Sequence, residues 1–175
     1  MIKTTSKHVI FYTEWPSNFW KTTFEWEAFG EKHTFFCTEQ AFMWAKAMYF
    51  NDFGIASKIL LEEESPMACK VLGRRVARYD DKMWSKARCS FMHDANYAKY
   101  TQDLVLKAKL LDPKFNGRAF VEASPTDCIW GIGLSQDDKN ADNEKKWRGQ
   151  NLLGKVITQV RQEIMSKKVG PIKAI

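Results

Sequence analysis

The sequence predicts an α+β fold: a single helix-rich domain with a small antiparallel β-sheet. Three observations lead there. Short alternating runs stand near the N-terminus and again near residue 120. Between and after them lie longer stretches with helical spacing and capping residues. No linker composition and no internal repeat divides the 175 residues, a length that suits one domain of about 100–200 residues. The domain is expected over 1–175, with its core at about 9–166 and a flexible tail at 169–175.

The elements follow in order. Val9 to Tyr12 reads as a short strand. Phe24 to Phe29 alternates through Phe24, Trp26 and Ala28. Gly30-Glu31-Lys32 reads as a turn and His33 to Cys37 as the returning strand of a hairpin. Thr38 is placed to cap a helix from about Glu39 to Phe50, which Asn51-Asp52-Phe53-Gly54 ends. A short helix is expected over about Ile55 to Glu63. Ser65-Pro66 opens another, to about Val76, with proline at the first helical position. Asp80 to about Tyr97 and Tyr100 to about Leu111 have helical character. Asp112 to Gly117 is a turn, and Arg118 to Glu122 a strand. Residues 135–146 are polar and loop-like. Asn151 is placed to cap a last amphipathic helix with Leu153, Val156, Ile157, Val160 and Ile164 on one face.

Composition narrows the class. Hydrophobic content of 45% and aromatic content of 14% exclude a disordered or low-complexity chain. The formal net charge of +6 suggests a nucleic-acid binder only until the charges are located. Residues 139–175 hold nine Lys/Arg and three Asp/Glu, which is the whole excess; the first 138 residues hold 18 of each sign. Met1 to Phe11 lacks the apolar core of a signal peptide. The longest apolar stretch, Ala41 to Phe50, is broken by Lys46 and is far short of the roughly 18 residues of a membrane span. Cys37, Cys69, Cys89 and Cys128 stand far apart without a CxxC, the pattern of reduced thiols in a cytoplasmic protein. His33 with Cys37, and His93 with Cys89, are four apart, but no paired motif completes a four-ligand site, so no metal is expected. Gly149 to Val156 imitates a P-loop, yet Val156 stands where a Ser/Thr hydroxyl is needed, and the polar run 141–148 is no buried strand.

Some residues carry chemistry rather than core. Fifteen of the 24 aromatics lie between Phe11 and Phe53, and Trp15, Phe19 and Trp20 flank the loop-like Pro16-Ser17-Asn18. On the helix 39–50, Glu39, Met43, Lys46 and Phe50 share one face. A carboxylate and an ammonium thus stand two turns apart, about 10 Å along the axis, on an otherwise apolar stripe. The plain alternatives are a first-turn acid favoured by the helix dipole and a snorkelling lysine. Val121 to Gly133 places Glu122 at a strand end and Asp127 in the following turn, where sites are often built. The plain alternative for Asp127 is an ordinary turn residue.

These segments together resemble the YbiA-like NADAR family of NAD- and ADP-ribose-associated proteins. The resemblance lies in Ser17-Asn18-Phe19, Thr38-Glu39-Gln40-Ala41-Phe42 with Lys46, Lys70 with Leu72-Gly73-Arg74, and Trp84. It continues through Lys99-Tyr100-Thr101-Gln102, Val121 to Asp127 with Trp130-Gly131, and Trp147-Arg148-Gly149-Gln150-Asn151-Leu152-Leu153-Gly154 with Arg161. Each piece is short; the ordered set, over roughly Phe11 to Arg161, is specific. The sequence departs from the pattern at Asp103, where Asn is expected, and in its aromatic-rich N-terminal part.

The resemblance implies an N-glycosidase. Family members are associated with ribosylamino-pyrimidine phosphates, early riboflavin intermediates, or with removing ADP-ribose from guanine in nucleic acid. Carried over, Glu39 and Asp127 become catalytic candidates, with Lys46 as a third. Glu39 would do acid/base work and Asp127 would steady the ribosyl cation, by analogy with glycosidase carboxylates. Lys46 would offer a Schiff-base route. Trp84 and Trp130 would stack on the leaving base. Lys70, Arg74 or Arg161 would meet a phosphate. Asn18, Phe19, Glu122, Gly131 and Asn151 complete the implied substrate contacts. Neither a cofactor nor a metal is implied. The expected partner is a small ribosyl phosphate or ADP-ribosyl compound, with ADP-ribosylated DNA or RNA as the larger possibility and no membrane. The competing reading is a non-catalytic module that binds ADP-ribose, NAD or nucleic acid.

Overall fold

A computed structural model describes residues 1–168, so the tail expected at 169–175 lies outside the described residues. Two compact units are present. One is contiguous, Asn18–Asp103. The other is discontinuous, built from Met1–Ser17 and the chain from Leu104 on. The α+β class is as expected, with six helices and five strands among the described residues.

The discontinuous unit is organised by β2 (His8–Phe11), every residue of which is buried. It pairs antiparallel with β1 (Lys3–Thr4) and parallel with β5 (Ala119–Glu122), in register His8 to Ala119 through Phe11 to Glu122. This sheet is therefore mixed, and only the hairpin described below is wholly antiparallel. Period 2 in two short runs announces strands but not their relative direction. Phe11, Trp15, Phe115 and Phe120 pack ring against ring. Ile10, Val121, Ala123, Ile132, Leu134 and Ala141 form a second buried cluster, with Trp147 against it. Helix α6 (Leu152–Lys168) lays the predicted face of Leu153, Val156, Ile157, Val160 and Ile164 inward. The polar loop 135–146 is pinned at His8, whose Nδ1 lies 2.6 Å from Asp142 Oδ1 and whose Nε2 lies 3.0 Å from Glu144 Oε1.

The contiguous unit opens with the predicted hairpin, β3 (Phe24–Ala28) and β4 (Glu31–Phe35). The turn is tighter than Gly30-Glu31-Lys32: its two residues are Phe29 and Gly30, both left-handed at φ 54° and 75°. Two such residues in succession match the right-handed twist of the strands, and Gly30 adopts that geometry without steric cost. Four helices follow, α1 (Thr38–Tyr49), α2 (Phe53–Leu60), α3 (Pro66–Gly73) and α4 (Asp81–Gln102). Their N-caps are Cys37, Asp52, Ser65 and Asp80, each accepting a backbone N–H at the third position after it. The α1 cap is thus the Cys37 thiol and not Thr38, which lies inside the helix. The two helices expected across residues 80–111 are both present, but the break comes later than expected, at Asp103, between the 22-residue α4 and α5 (Leu104–Leu110), which belongs to the other unit. Asp103 is held there by the Thr22 hydroxyl, which donates to Oδ2 at 2.6 Å.

Candidate functional site

In the contiguous unit the candidates gather on α1 and the segments that touch it. Helix α1 is buried on almost every side, so its few polar groups are set in apolar surroundings. Glu39 is only 5% exposed, and its backbone N–H donates to the Asn18 carbonyl at 3.0 Å. The next residue, Gln40, is structural. Its Nε2 donates to the carbonyls of Ile59 and Glu62, and its Oε1 accepts from Phe36 N–H. Asn18 is buried too; its Nδ2 points to Met92 Sδ at 3.3 Å, while Oδ1 has no hydrogen-bond partner among the described residues.

Lys46 is half-buried, two turns along α1 from Glu39. Burial pushes its amine below the ordinary lysine range, Glu39 opposes that, Arg74 adds to it, and Asp81 opposes it. The predicted pairing of carboxylate and amine on one helix face is therefore an electrostatic relationship in the folded protein, and Arg74 belongs to it. Arg74 follows α3, whose Gly73 backs onto Met43 of α1 so closely that a Cβ would lie 2.9 Å from Met43 Cγ. Lys70, one turn earlier, places its Nζ 5.7 Å from the ring of Phe19.

Trp84 is not the open platform that stacking on a base requires. It is 4% exposed and packed among Phe42, Tyr49, Phe50 and Phe91, with the Phe91 ring stacked at 5.7 Å. Its size serves the wall behind α1. Two residues of this unit are not among the site residues expected from sequence. Tyr79 lies across Lys46, with Nζ 4.2 Å from its ring centroid. Lys99 is fully buried, and burial brings its amine down to about 7, against the pull of Cys37 and Asp103. Tyr79 had one weak signal, an aromatic inside the charged run Arg78-Tyr79-Asp80-Asp81.

In the discontinuous unit the candidates lie on the loops that follow β5. Asp127 Oδ1 accepts from Ile129 N–H at 2.9 Å and Trp130 N–H at 2.8 Å, a side-chain-closed turn. Glu122 and Trp130 are half-buried. Gly131 is a packing residue: a Cβ there would lie 2.8 Å from Ser124 Cβ and 3.0 Å from the Asp127 and Glu122 carbonyls. Gly149 is the same kind of position, with Cys128 Cα 2.7 Å from where its Cβ would be.

Asn151 and Arg161 are corrected from substrate contacts to structural ones. Asn151 Oδ1 accepts from Glu122 N–H and its Nδ2 donates to the Phe120 carbonyl, each at 3.0 Å, so its amide is turned to β5 and does not cap α6. Arg161 is 5% exposed; its Nε donates to the Leu110 carbonyl at 2.8 Å, and its Nη2 to Asn116 Oδ1 at 2.7 Å. A guanidinium spent this way fixes the turn before β5 and offers no fork to a phosphate.

Among the described residues, no group of three or more His, Cys, Asp and Glu is placed to hold a metal ion. None of the helices there is long and apolar enough to cross a membrane. The arrangement on α1, a buried carboxylate, an amine held below the ordinary lysine range by burial and an arginine that adds to that shift, suits proton transfer and amine addition at a carbon bearing positive charge.

The model of the NADAR domain family matches residues 3–165. The chain belongs to the NADAR family. It is 40% identical over 136 residues to protein irg-1 of Caenorhabditis elegans, and spans 63% of that relative's length with 77% of its own. It is 37% identical over 155 residues to N-glycosidase R617 of Acanthamoeba polyphaga mimivirus, covering 87% of this chain and 86% of that one. An N-glycosidase of Nostoc punctiforme is 24% identical over 156 residues, 89% of this chain and 92% of its own. The solution structure of Escherichia coli YbiA superposes with a TM-score of 0.71 at 23% identity, over 96% of this chain and 90% of that one. That last likeness shows that the chain shares the fold of YbiA.

Proposed function

We propose that this NADAR protein is an N-glycosidase, a hydrolase that cleaves the C1′–N bond joining a ribose to a base. The observation that carries the reading is the placing on α1 of buried Glu39 and of Lys46, whose amine burial holds below the ordinary lysine range. The names of two relatives that align along most of the chain support it.

Cleavage of the C1′–N bond leaves positive charge on the ribose and negative charge on the departing nitrogen. Glu39 is the acid/base group, in a setting where few waters compete for its proton. Lys46 is the nucleophile. As the bond to the base breaks, with a proton delivered to the leaving nitrogen, Nζ bonds to C1′, and opening of the sugar ring gives an imine. Water then adds to C1′ and returns the free amine, for a net hydrolysis. For Asp127, in the other unit, a catalytic role rests on the family resemblance. Arg74 and Lys70 are the groups for a phosphate or diphosphate; Arg's planar fork suits two oxygens at once. The buried, unsatisfied Asn18 Oδ1 is an acceptor suited to a substrate N–H or O–H. The substrate is a ribosylamino-pyrimidine phosphate or an ADP-ribosyl guanine in nucleic acid.

A mass-spectrometric screen of both substrate classes tests this, with Glu39→Gln as control. Turnover of one class by the wild-type protein, and its loss in a folded Glu39→Gln variant, is the expected outcome. Wild-type turnover by Glu39→Gln reduces Glu39 to a first-turn acid. Borohydride trapping of an adduct that Lys46→Ala abolishes establishes the amine route.

A further inference from the structure

The connection from α3 to α4 is fastened at more points than its length requires. Ala77 N–H donates to Asp52 Oδ2 at 2.8 Å, and Arg78 Nη2 donates to the Asn51 carbonyl at 2.6 Å. Asn51 and Arg78 are both left-handed, at φ 54° and 56°, a conformation that asparagine tolerates but that arginine holds only when its surroundings impose it. The result is the delivery of the next residue, Tyr79, to the side of α1 that carries Lys46. The Tyr79 hydroxyl donates to Asp81 Oδ1 at 2.7 Å, and burial with that hydrogen bond pushes the phenol up to about 12, so it stays a donor. The ring meets Phe50 edge-on at 5.5 Å and turns its face to Lys46 Nζ, 4.2 Å from the centroid. Tyr79 itself remains 44% exposed.

We propose that Tyr79 is a positioning residue for Lys46, its ring fixing the direction of the amine and favouring its ammonium form. This rests on the reading of Lys46 as a group of the site. Four influences act on the amine besides the ring: burial and Arg74 favour the neutral form, Glu39 and Asp81 the charged one. The negative face of the ring joins the second pair. It differs from the carboxylates in also blocking one approach to the amine, so that Lys46 is held pointing along the remaining one. A lysine stem has several rotors and wanders unless such a contact holds it. The ring thereby governs two things the amine route needs, where the lone pair points and how readily Nζ gives up its proton.

The test reads the amine directly. Lys46 is modified by reductive methylation across a pH series, and the extent is measured by peptide mass spectrometry beside the kcat–pH profile. Tyr79→Leu keeps apolar bulk and removes the π-face; Tyr79→Phe keeps the face and removes the tether to Asp81. Tyr79→Leu is expected to lower the midpoint of Lys46 reactivity by roughly 0.4–0.7 pH units, the size of a partly exposed cation–π contact. Tyr79→Phe is expected to leave that midpoint within about 0.2 units, because the π-face that carries the contact is kept. An unchanged midpoint in Tyr79→Leu overturns the proposal, and leaves Tyr79 a mere cover. Lys46→Ala separates the two readings: if it retains turnover, the catalytic role of Lys46 falls while the midpoint still decides for Tyr79. If it loses turnover and Tyr79→Leu alters neither midpoint nor profile, only the Tyr79 role falls.

Discussion

The side-chain amide of Asn151 is bound to the backbone of β5, donating to the Phe120 carbonyl at 3.0 Å while its own oxygen receives the Glu122 N–H. One side chain thus replaces a missing strand neighbour, and does so from a left-handed backbone at φ 53°. Asn151→Ala is expected to cost about 2–3 kcal/mol, because two strand groups are left unsatisfied and alanine is strained there. Urea unfolding measures it. A loss below about 0.5 kcal/mol removes the bridge as a stabilising element.

Asp127 closes a turn, and its carboxylate is also proposed to take part in turnover. Asp127→Asn separates the two, since the amide oxygen still accepts from Ile129 and Trp130. The expected outcome is a drop in kcat of about 10²-fold or more, the size usual for loss of one electrostatic stabiliser, with the melting temperature nearly unchanged. Wild-type kcat in this variant restricts Asp127 to ordering its loop.

Lys99 predicts a pH dependence of stability. Its folded value of about 7 lies below the ordinary 10.5, so above pH 7 the unfolded chain binds more protons and stability rises with pH. Stability gained this way is absent below pH 7. The limiting slope is about 1.4 kcal/mol per pH unit for one proton. Cys37 and Cys69, both pushed up to about 12 by burial, work in the opposite sense once unfolded thiols ionise near 9. The clean window is therefore about pH 7 to 8.5. Denaturant midpoints in the wild type should climb across it, and those of Lys99→Met should stay flat. A flat wild type contradicts a Lys99 amine lowered by burial.

Gly149→Ala addresses the loops after β5. The added methyl would meet the Gly131 carbonyl and Cys128 backbone, which have no rotamer to yield with. Destabilisation of about 2–4 kcal/mol is expected, as for severe overpacking, against about 0.5 kcal/mol or less for Lys145→Ala on the exposed surface nearby. Differential scanning calorimetry of the two variants compares them.

Much of this was legible in the sequence. The Glu39–Lys46 face emerged from helical spacing alone, because α1 is regular and its apolar neighbours mark the period. The same holds for the buried face of α6. What could not be read was the direction of hydrogen bonds. Asn151 and Arg161 lie in a segment that reads as motif-rich, and a residue that binds backbone leaves the same trace there as one that binds substrate. Trp84 reads as an open platform for a related reason: composition counts rings but does not say which are packed on by their neighbours. Tyr79 was passed over because its importance arises from a fold-back of the chain at Asn51 and Arg78 that no periodicity encodes.

The parallel pairing of β2 with β5 has a consequence for how the chain is made. His8 waits for Ala119, more than a hundred residues later, before that ladder closes. By then the ribosome has released the whole of Asn18–Asp103, one contiguous stretch that forms a compact unit. The unit bearing Glu39 and Lys46 is thus complete while its companion still lacks a strand and α6. A nascent chain arrested before Ala119 carries β2 with one edge open, a template for the wrong partner.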